Sequence, residues 1–242
     1  MARTEPLRLH GYAVSNYFNI AHAALIETAT DFELVTTRAS QQPEFLAISP
    51  MGKIPVLQTP EGWIGETVAI LGYIEDCLPR PTLHSAEPLQ RARERQLINV
   101  VQLYVEAPVR SLFPGVFMGG INSPISVAAA RITLDRATAA LRRLVAPEPF
   151  LMGASLSYAD LFAFYCLDIA ERVSRFVYCR SILADLGLQS WFGRMAQRDS
   201  SQTVMAMFEN AFGPYLKEKN ATYRFQPVGY RPRSPATEQR PA

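Results

Sequence analysis

The sequence predicts two folded parts in series, a compact α/β unit over residues 1–80 and an all-α helical bundle over residues 89–218. Three observations predict it. Strand-like and helix-like runs alternate as far as Asp76, separated by turn residues. Pro79, Pro81 and Pro88 then interrupt regular structure and mark residues 81–88 as a linker. Beyond them apolar residues recur at helical spacing and no strand signal competes. A chain of 242 residues with 48% hydrophobic content is long and apolar enough to bury a sizeable core.

In the first part, Leu7 to His10 alternates and stops at Gly11, which reads as a short strand. Ile20 to Ala29 is Ala-rich with one apolar side and reads as a helix, Phe32 to Thr36 as a second strand, and Ser40 to Ile48 as a short helix or turn. Ile54 to Leu57 and Trp63-Ile64 flank Pro60-Glu61-Gly62, a tight-turn sequence that predicts a hairpin. Val68, Ile70, Leu71 and Ile74 give Glu66 to Asp76 a helical period. In the second part the helices are expected over Leu89–Val105, continuing toward Met118 with disturbances at Pro108 and Pro114, and over Pro124–Val145, Ser157–Val173, Ile182–Arg198 and Thr203–Phe212. Ser157 and Asp160 have capping-box spacing and read as structural. Residues 219–242 form a Pro/Arg-rich tail; over 220–242 it carries +3 of the chain's net +2, leaving a body of −1. Tyr223, Phe225 and Tyr230 could lay aromatic surface over a crevice as a strap, or the tail could lie apart from the fold.

Several classes are excluded early. The charge balance, 24 Lys plus Arg against 22 Asp plus Glu, gives no footprint for nucleic acid. The longest strongly apolar run, Leu161 to Leu167, falls far short of the ~20 residues of a membrane span. The start of the chain lacks an apolar signal segment, and Cys77, Cys166 and Cys179 are too scattered for a disulfide framework, so a reducing, cytoplasmic setting is expected. There is no phosphate-binding glycine loop, no nucleophile elbow and no histidine pair at metal-ligand spacing, and no metal is expected.

The most informative stretch is Ser49-Pro50-Met51-Gly52-Lys53-Ile54-Pro55-Val56-Leu57 with Gly65-Glu66-Thr67-Val68. Pro55 cannot donate a ladder hydrogen bond, so it belongs at an edge, a strand start or a cis bend. A cis Ile54-Pro55 bond would turn the Ile54 backbone outward to pair with an extended peptide. Glu66-Thr67 opens a helix whose free N–H groups and positive dipole end suit a carboxylate, while Glu66 suits an ammonium. The pieces together would grip an amino-acid-like zwitterion; taken singly they are equally a hairpin and an ordinary helix start.

The run SPMGKIPVLQTPEGWIGETVAILGYIED, preceded by QPEFLAI, resembles the glutathione-binding half of the cytosolic glutathione transferases, and FLMGASLSYADLFAF is similar to a segment of that family's helical domain. The resemblance covers Leu7 to Phe212. It implies a thioredoxin-like first domain, glutathione as co-substrate, and a homodimer. Carried over by position, it implies that Pro55 is the cis-proline, that Ile54 pairs with the cysteinyl backbone, and that Glu66 and Thr67 hold the γ-glutamyl end. Lys53 falls where the tripeptide backbone or its glycine carboxylate is held, and Gln41 and Gln42, in the loop that often binds the glycine end, are weaker candidates. The donor to the glutathione sulfur falls in Gly11 to Asn19: Ser15 ranks first, Tyr12 second and Asn16 third. A hydrogen bond to sulfur and a nearby helix N-terminus both favour thiolate over thiol. Ser15 is also placed to cap the following helix. The loop lacks the Pro or Cys that often follows a catalytic serine in this family, and Asn19 stands where a basic residue is common. The absence of a loop cysteine argues against a mixed disulfide with glutathione.

Tyr17, Tyr104, Pro108, Phe113 and Phe117, with Met118, are expected to wall the pocket of a second, apolar and electrophilic substrate. The implied activity is conjugation of the thiolate to that electrophile. Two alternatives stand beside it: glutathione recycled in an isomerase, lyase or peroxidase reaction, and a non-catalytic carrier or interaction module of the same fold.

Overall fold

A computed structural model describes residues 6–77 and 83–224. Pro79, Pro81, Phe225 and Tyr230 lie outside the described residues. The first part runs β1 (Leu7–Gly11), α1 (Asn16–Glu27), β2 (Phe32–Thr36), α2 (Pro43–Leu46), β3 (Val56–Thr59), β4 (Gly62–Ile64) and α3 (Thr67–Asp76). Its sheet has the order β2-β1-β3-β4. β1 and β2 are parallel, with Leu9 opposite Leu34, and α1 is the crossover between them; β1–β3 and β3–β4 are antiparallel. This is the thioredoxin-like arrangement. β1 buries Leu7 and Leu9 while Arg8 reaches solvent, the alternation seen in its sequence.

The second part is helical: α4 (Pro88–Val100), a π-helical segment (Val101–Glu106), α5 (Ala107–Arg110), α6 (Phe113–Phe117), α7 (Pro124–Leu144), α8 (Tyr158–Tyr178), α9 (Ile182–Leu186), α10 (Gln189–Ala196) and α11 (Asp199–Glu218). α8 is the axis of the molecule. Every residue from Tyr158 to Ser174 is buried, so α8 packs on all sides, including against α1. One apolar core runs through both parts, from Leu7 and Leu57 to Phe208 and Phe212. Each large side chain buried in it contributes roughly 1.5–3 kcal/mol.

α8 runs on to Tyr178 where the sequence expectation stops at Val173, and three further helix boundaries differ from that expectation, each for a local reason. α1 begins at Asn16 rather than Ile20, because Ser15 caps it and Asn16 and Asn19 are polar residues that tertiary contacts bury. The helix expected over Ile182–Arg198 is broken at Gly187, whose φ of +69° ends α9 in the left-handed conformation that glycine adopts without a side-chain clash. α11 covers Asp199–Glu218 and not only Thr203–Phe212, continuing through Pro214. Its start is fixed to the end of α1 by Arg198, which donates to both Glu27 carboxylate oxygens at 2.7 and 2.6 Å. The helix that starts at Pro88 passes Pro108 without ending there, because π winding lets carbonyls bond one residue farther along and so reach past the missing N–H.

Tyr223 is buried against Phe117 (ring centroids 4.9 Å apart), Phe176 (5.6 Å) and Phe212 (5.8 Å). Of the three tail aromatics considered for a strap, it is the one among the described residues, and it packs on the helical part.

Candidate functional site

The α3 helix meets the start of α1. The α3 helix opens with Glu66 at φ +60°, ψ 116°, a strained backbone for a non-glycine residue, and no side chain caps it. The first hydrogen bond of α3 is donated by Ile70 to the Glu66 carbonyl, so the N–H groups of Thr67, Val68 and Ala69 have no acceptor among the described residues. Thr67 is buried and its hydroxyl donates to the Tyr17 carbonyl at 3.3 Å, tying α3 to α1. The Glu66 carboxylate is exposed and forms no ion pair or hydrogen bond among the described residues.

Ile54 lies just ahead of β3. Its peptide bond to Pro55 is cis, and its backbone N–H and C=O pair with nothing in the described chain. Ser49 fixes the approach to it. The buried Ser49 hydroxyl donates to the Lys53 carbonyl at 2.7 Å and accepts from the Lys53 N–H at 3.0 Å. Gly52 makes the turn at φ +64°, where a Cβ would sit 2.3 Å from the Ser40 carbonyl oxygen. Lys53 itself is exposed, with an ammonium unpaired among the described residues. Gln41 donates to the Met51 carbonyl at 3.2 Å and is thereby committed to the turn, whereas the Gln42 side chain stays exposed. Ile54, Glu66 and Thr67 thus offer two backbone polar groups, an acid and open helix N–H groups.

The loop before α1 separates the three donor candidates. The Ser15 oxygen caps α1 by accepting from the Phe18 N–H at 3.4 Å. This cap uses a lone pair and leaves the hydroxyl proton with no acceptor among the described residues, so capping and donation to an outside atom are compatible. Tyr12 lies under the Arg38 guanidinium, 3.7 Å from its ring centroid, and near Tyr215. Asn16 is buried, and its amide is fully engaged: it donates to Glu106 at 3.4 Å and to Cys166 Sγ at 3.6 Å, and accepts from Arg110 at 2.8 Å. Asn16 thus links α1 to Glu106, Arg110 and Cys166.

The second wall is more polar than the sequence suggests. Tyr17 donates its hydroxyl to Glu106 at 2.9 Å, and burial, reinforced by that carboxylate, pushes its pKa far above the usual phenol value. Tyr17 and Phe113 flank the Arg110 guanidinium at 5.1 and 4.9 Å. Phe117 is 2% exposed inside the aromatic cluster with Phe113, Phe212 and Tyr223, a core position and not a pocket wall. Tyr104 is 50% exposed on the π-helical segment beside the equally exposed Leu103. Pro108 is half-buried, and its carbonyl accepts from Ser111.

The structure adds Asn19, Ser49, Glu106, Arg110 and Cys166 to the residues expected to build the site. Asn19 donates to the Ala13 carbonyl at 3.0 Å and so shapes the loop that carries Ser15. The detectable signal was Glu106 and Arg110, an acid and a base four residues apart in an otherwise apolar run. Among the described residues no cluster of His, Cys, Asp and Glu could hold a metal ion, and no helix is long and apolar enough to cross a membrane.

Comparison with known proteins agrees with this geometry. Residues 9–82 match the family model described as glutathione S-transferase, N-terminal domain. A glutathione S-transferase of Pseudomonas putida is 38% identical over 179 residues, 74% of this chain and 81% of that protein. A probable elongation factor 1-gamma 2 of Arabidopsis thaliana is 33% identical over 145 residues, 60% of this chain but only 34% of the larger protein. The crystal structure of a glutathione S-transferase from Rhodospirillum rubrum superposes with a TM-score of 0.69 at 24% identity, covering 82% of this chain and 91% of that one, a likeness of fold. With a sheet unit and helical unit of this kind, and with similarity to the Pseudomonas enzyme running through most of both chains, the protein belongs to the glutathione S-transferase family.

Proposed function

We propose that the protein binds glutathione along Ile54, Glu66 and Thr67, promotes its thiolate, and conjugates it to an electrophile with an apolar body. The observation that carries this reading is the open α3 N-terminus beside the unpaired Ile54 backbone. Ile54 would pair with the cysteinyl residue as a strand does. The N–H groups of α3 would take the γ-glutamyl carboxylate, and the Glu66 carboxylate its ammonium. Lys53 and Gln42 are exposed where the resemblance sets the glycine end. Ser15 would direct its hydroxyl proton at sulfur, and the α1 N-terminus adds a favourable field, so more of the thiol is ionised at neutral pH. The proton leaves to solvent, a carbon–sulfur bond forms, and the leaving group departs with its electron pair in substitutions. The protein supplies binding, orientation and charge stabilisation, with no covalent bond to itself.

The elongation-factor similarity and the engagement of Asn16 favour one second reading, a glutathione-fold carrier or interaction module without turnover. Isothermal calorimetry with glutathione followed by a 1-chloro-2,4-dinitrobenzene conjugation assay separates the two. Binding with turnover supports the transferase, binding without turnover the carrier, and no binding removes the transferase and leaves an interaction module. Exposed apolar side chains on the turn and on the helices from α3 to the π-helical segment, among them Met51, Val68, Leu89 and Leu103, support a homodimer. A purely monomeric sedimentation profile at micromolar concentration would reject it. A cytoplasmic setting fits the three unpaired cysteines.

A further inference from the structure

We propose that Arg110 is the specificity residue for the second substrate, and that this substrate carries a carboxylate on its apolar body. The inference rests on the glutathione reading above and names the partner of that same site. Glu106 is 1% exposed and receives Tyr17 Oη, Asn16 Nδ2 and Arg110 Nη2, so its charge is covered from solvent. Arg110 differs. Its side chain is 43% exposed, Nη2 alone serves both Glu106 and Asn16, and its Nε and Nη1 donate to no atom of the described residues. Three of the five N–H groups of a guanidinium are therefore left over. The buried carboxylate needs only one cationic partner, which a single nitrogen already provides.

Arg110 is also held in place. The Tyr17 and Phe113 rings flank the guanidinium, and its two hydrogen bonds fix the remaining freedom, so little entropy is lost when an anion binds. Its position relative to the first substrate follows from Tyr17 alone: the Tyr17 carbonyl accepts from Thr67, at the proposed γ-glutamyl end, while its hydroxyl and ring touch Glu106 and Arg110. Asn16, which accepts from Arg110, follows Ser15 directly. A cation thus stands beside the start of α1 with an apolar ring, Phe113, against it. An electrophile with an aromatic or alkenyl body on Phe113 and a carboxylate on the spare guanidinium N–H groups satisfies both.

The test compares two electrophiles with the same reacting carbon, 4-chloro-3,5-dinitrobenzoate and 4-chloro-3,5-dinitrobenzamide. In each, glutathione sulfur bonds to the ring carbon, the carbon–chlorine bond breaks, and chloride and a proton are released. Each kcat/KM is divided by the uncatalysed rate constant with glutathione, which removes the difference in intrinsic reactivity. The protein is expected to favour the benzoate at least tenfold, Arg110→Gln to abolish that preference, and Arg110→Lys to keep part of it. A ratio near one in the parent protein, or a preference that survives Arg110→Gln, overturns the proposal. Because Arg110→Gln leaves Glu106 without its cation, circular dichroism accompanies each variant, and the Glu106→Gln/Arg110→Gln pair is measured with it. Calorimetric binding of the two purified S-aryl glutathione conjugates gives a readout without turnover: equal affinity, or none for either, also overturns the proposal. Glutathione that binds without any carboxylate preference removes only the role of Arg110, whereas absence of glutathione binding removes the reading of the whole site.

Discussion

The N-termini of α3 and α8 are chemically alike and structurally opposite. At α8, Asp160 is fully buried and accepts from the backbone N–H groups of Leu151 (2.7 Å) and Ser157 (3.1 Å), the Ser157 hydroxyl (2.9 Å) and the Trp191 indole N–H (3.0 Å). At α3, Glu66 caps nothing, its backbone is strained, and the first N–H groups of the helix have no acceptor among the described residues. Both are acid-bearing helix starts. A helix end whose donors are satisfied internally serves folding, and one left open at the surface beside the unpaired Ile54 backbone suits a ligand. The α1 start lies between these extremes, since Ser15 caps with its oxygen and retains its proton.

Replacing Asp160 should cost the most. Asp160→Ala strands four donors in the core and is expected to lower stability by about 3–5 kcal/mol in urea unfolding. A loss under 1 kcal/mol would break the contrast with α3. Next, Ser15→Ala should reduce kcat about 10²-fold, the scale of losing one donor to a developing anion. It should also raise the pKa of bound glutathione, read from the thiolate absorbance near 240 nm, with affinity nearly intact. Unchanged turnover would pass the role to Tyr12. Glu66→Gln should raise the glutathione Kd about tenfold, or 1.4 kcal/mol, with an unchanged urea midpoint. A shifted midpoint with unaltered Kd would make α3 a folding device like α8.

The smallest effect concerns pH. His22 lies buried between Phe18 and Phe32 with Nδ1 unpartnered among the described residues, and burial lowers its pKa to about 4 from 6.5. Its folded pKa is depressed, so the unfolded chain binds the proton first as pH falls below about 6.5. Stability should therefore be full above that value and decline toward pH 4, by about 1 kcal/mol between pH 7 and 5.5. A His22→Phe variant should flatten this slope, and an unaltered slope would locate the acid sensitivity elsewhere.

The parts legible in the sequence share a short range. The β3–β4 hairpin follows from Pro60-Glu61-Gly62, and the capping pair from the three-residue spacing of Ser157 and Asp160. The candidate glutathione residues Ile54, Glu66 and Thr67 sit in one continuous motif whose geometry is set by its own turns and helix start. Illegible were features that depend on distant partners. Phe117 has the size and position of a pocket wall, yet Tyr223, over a hundred residues later, closes an aromatic cluster around it. Asn16 reads as a possible donor until Glu106, Arg110 and Cys166 occupy its amide.

By itself the sequence determined the order of strands and helices, the break between the two parts and the motif at Ile54 to Thr67, because period, turn chemistry and capping act over a few residues. Only the tertiary structure decided which polar groups stay open. Glu106 and Arg110 are an ordinary helical pair until α8 packs against the π-helical segment and Asn16 and Tyr17 of α1 donate to the acid and bury it. Packing then leaves the cation half-exposed at the start of α1, and exposure is a property of all the neighbours at once.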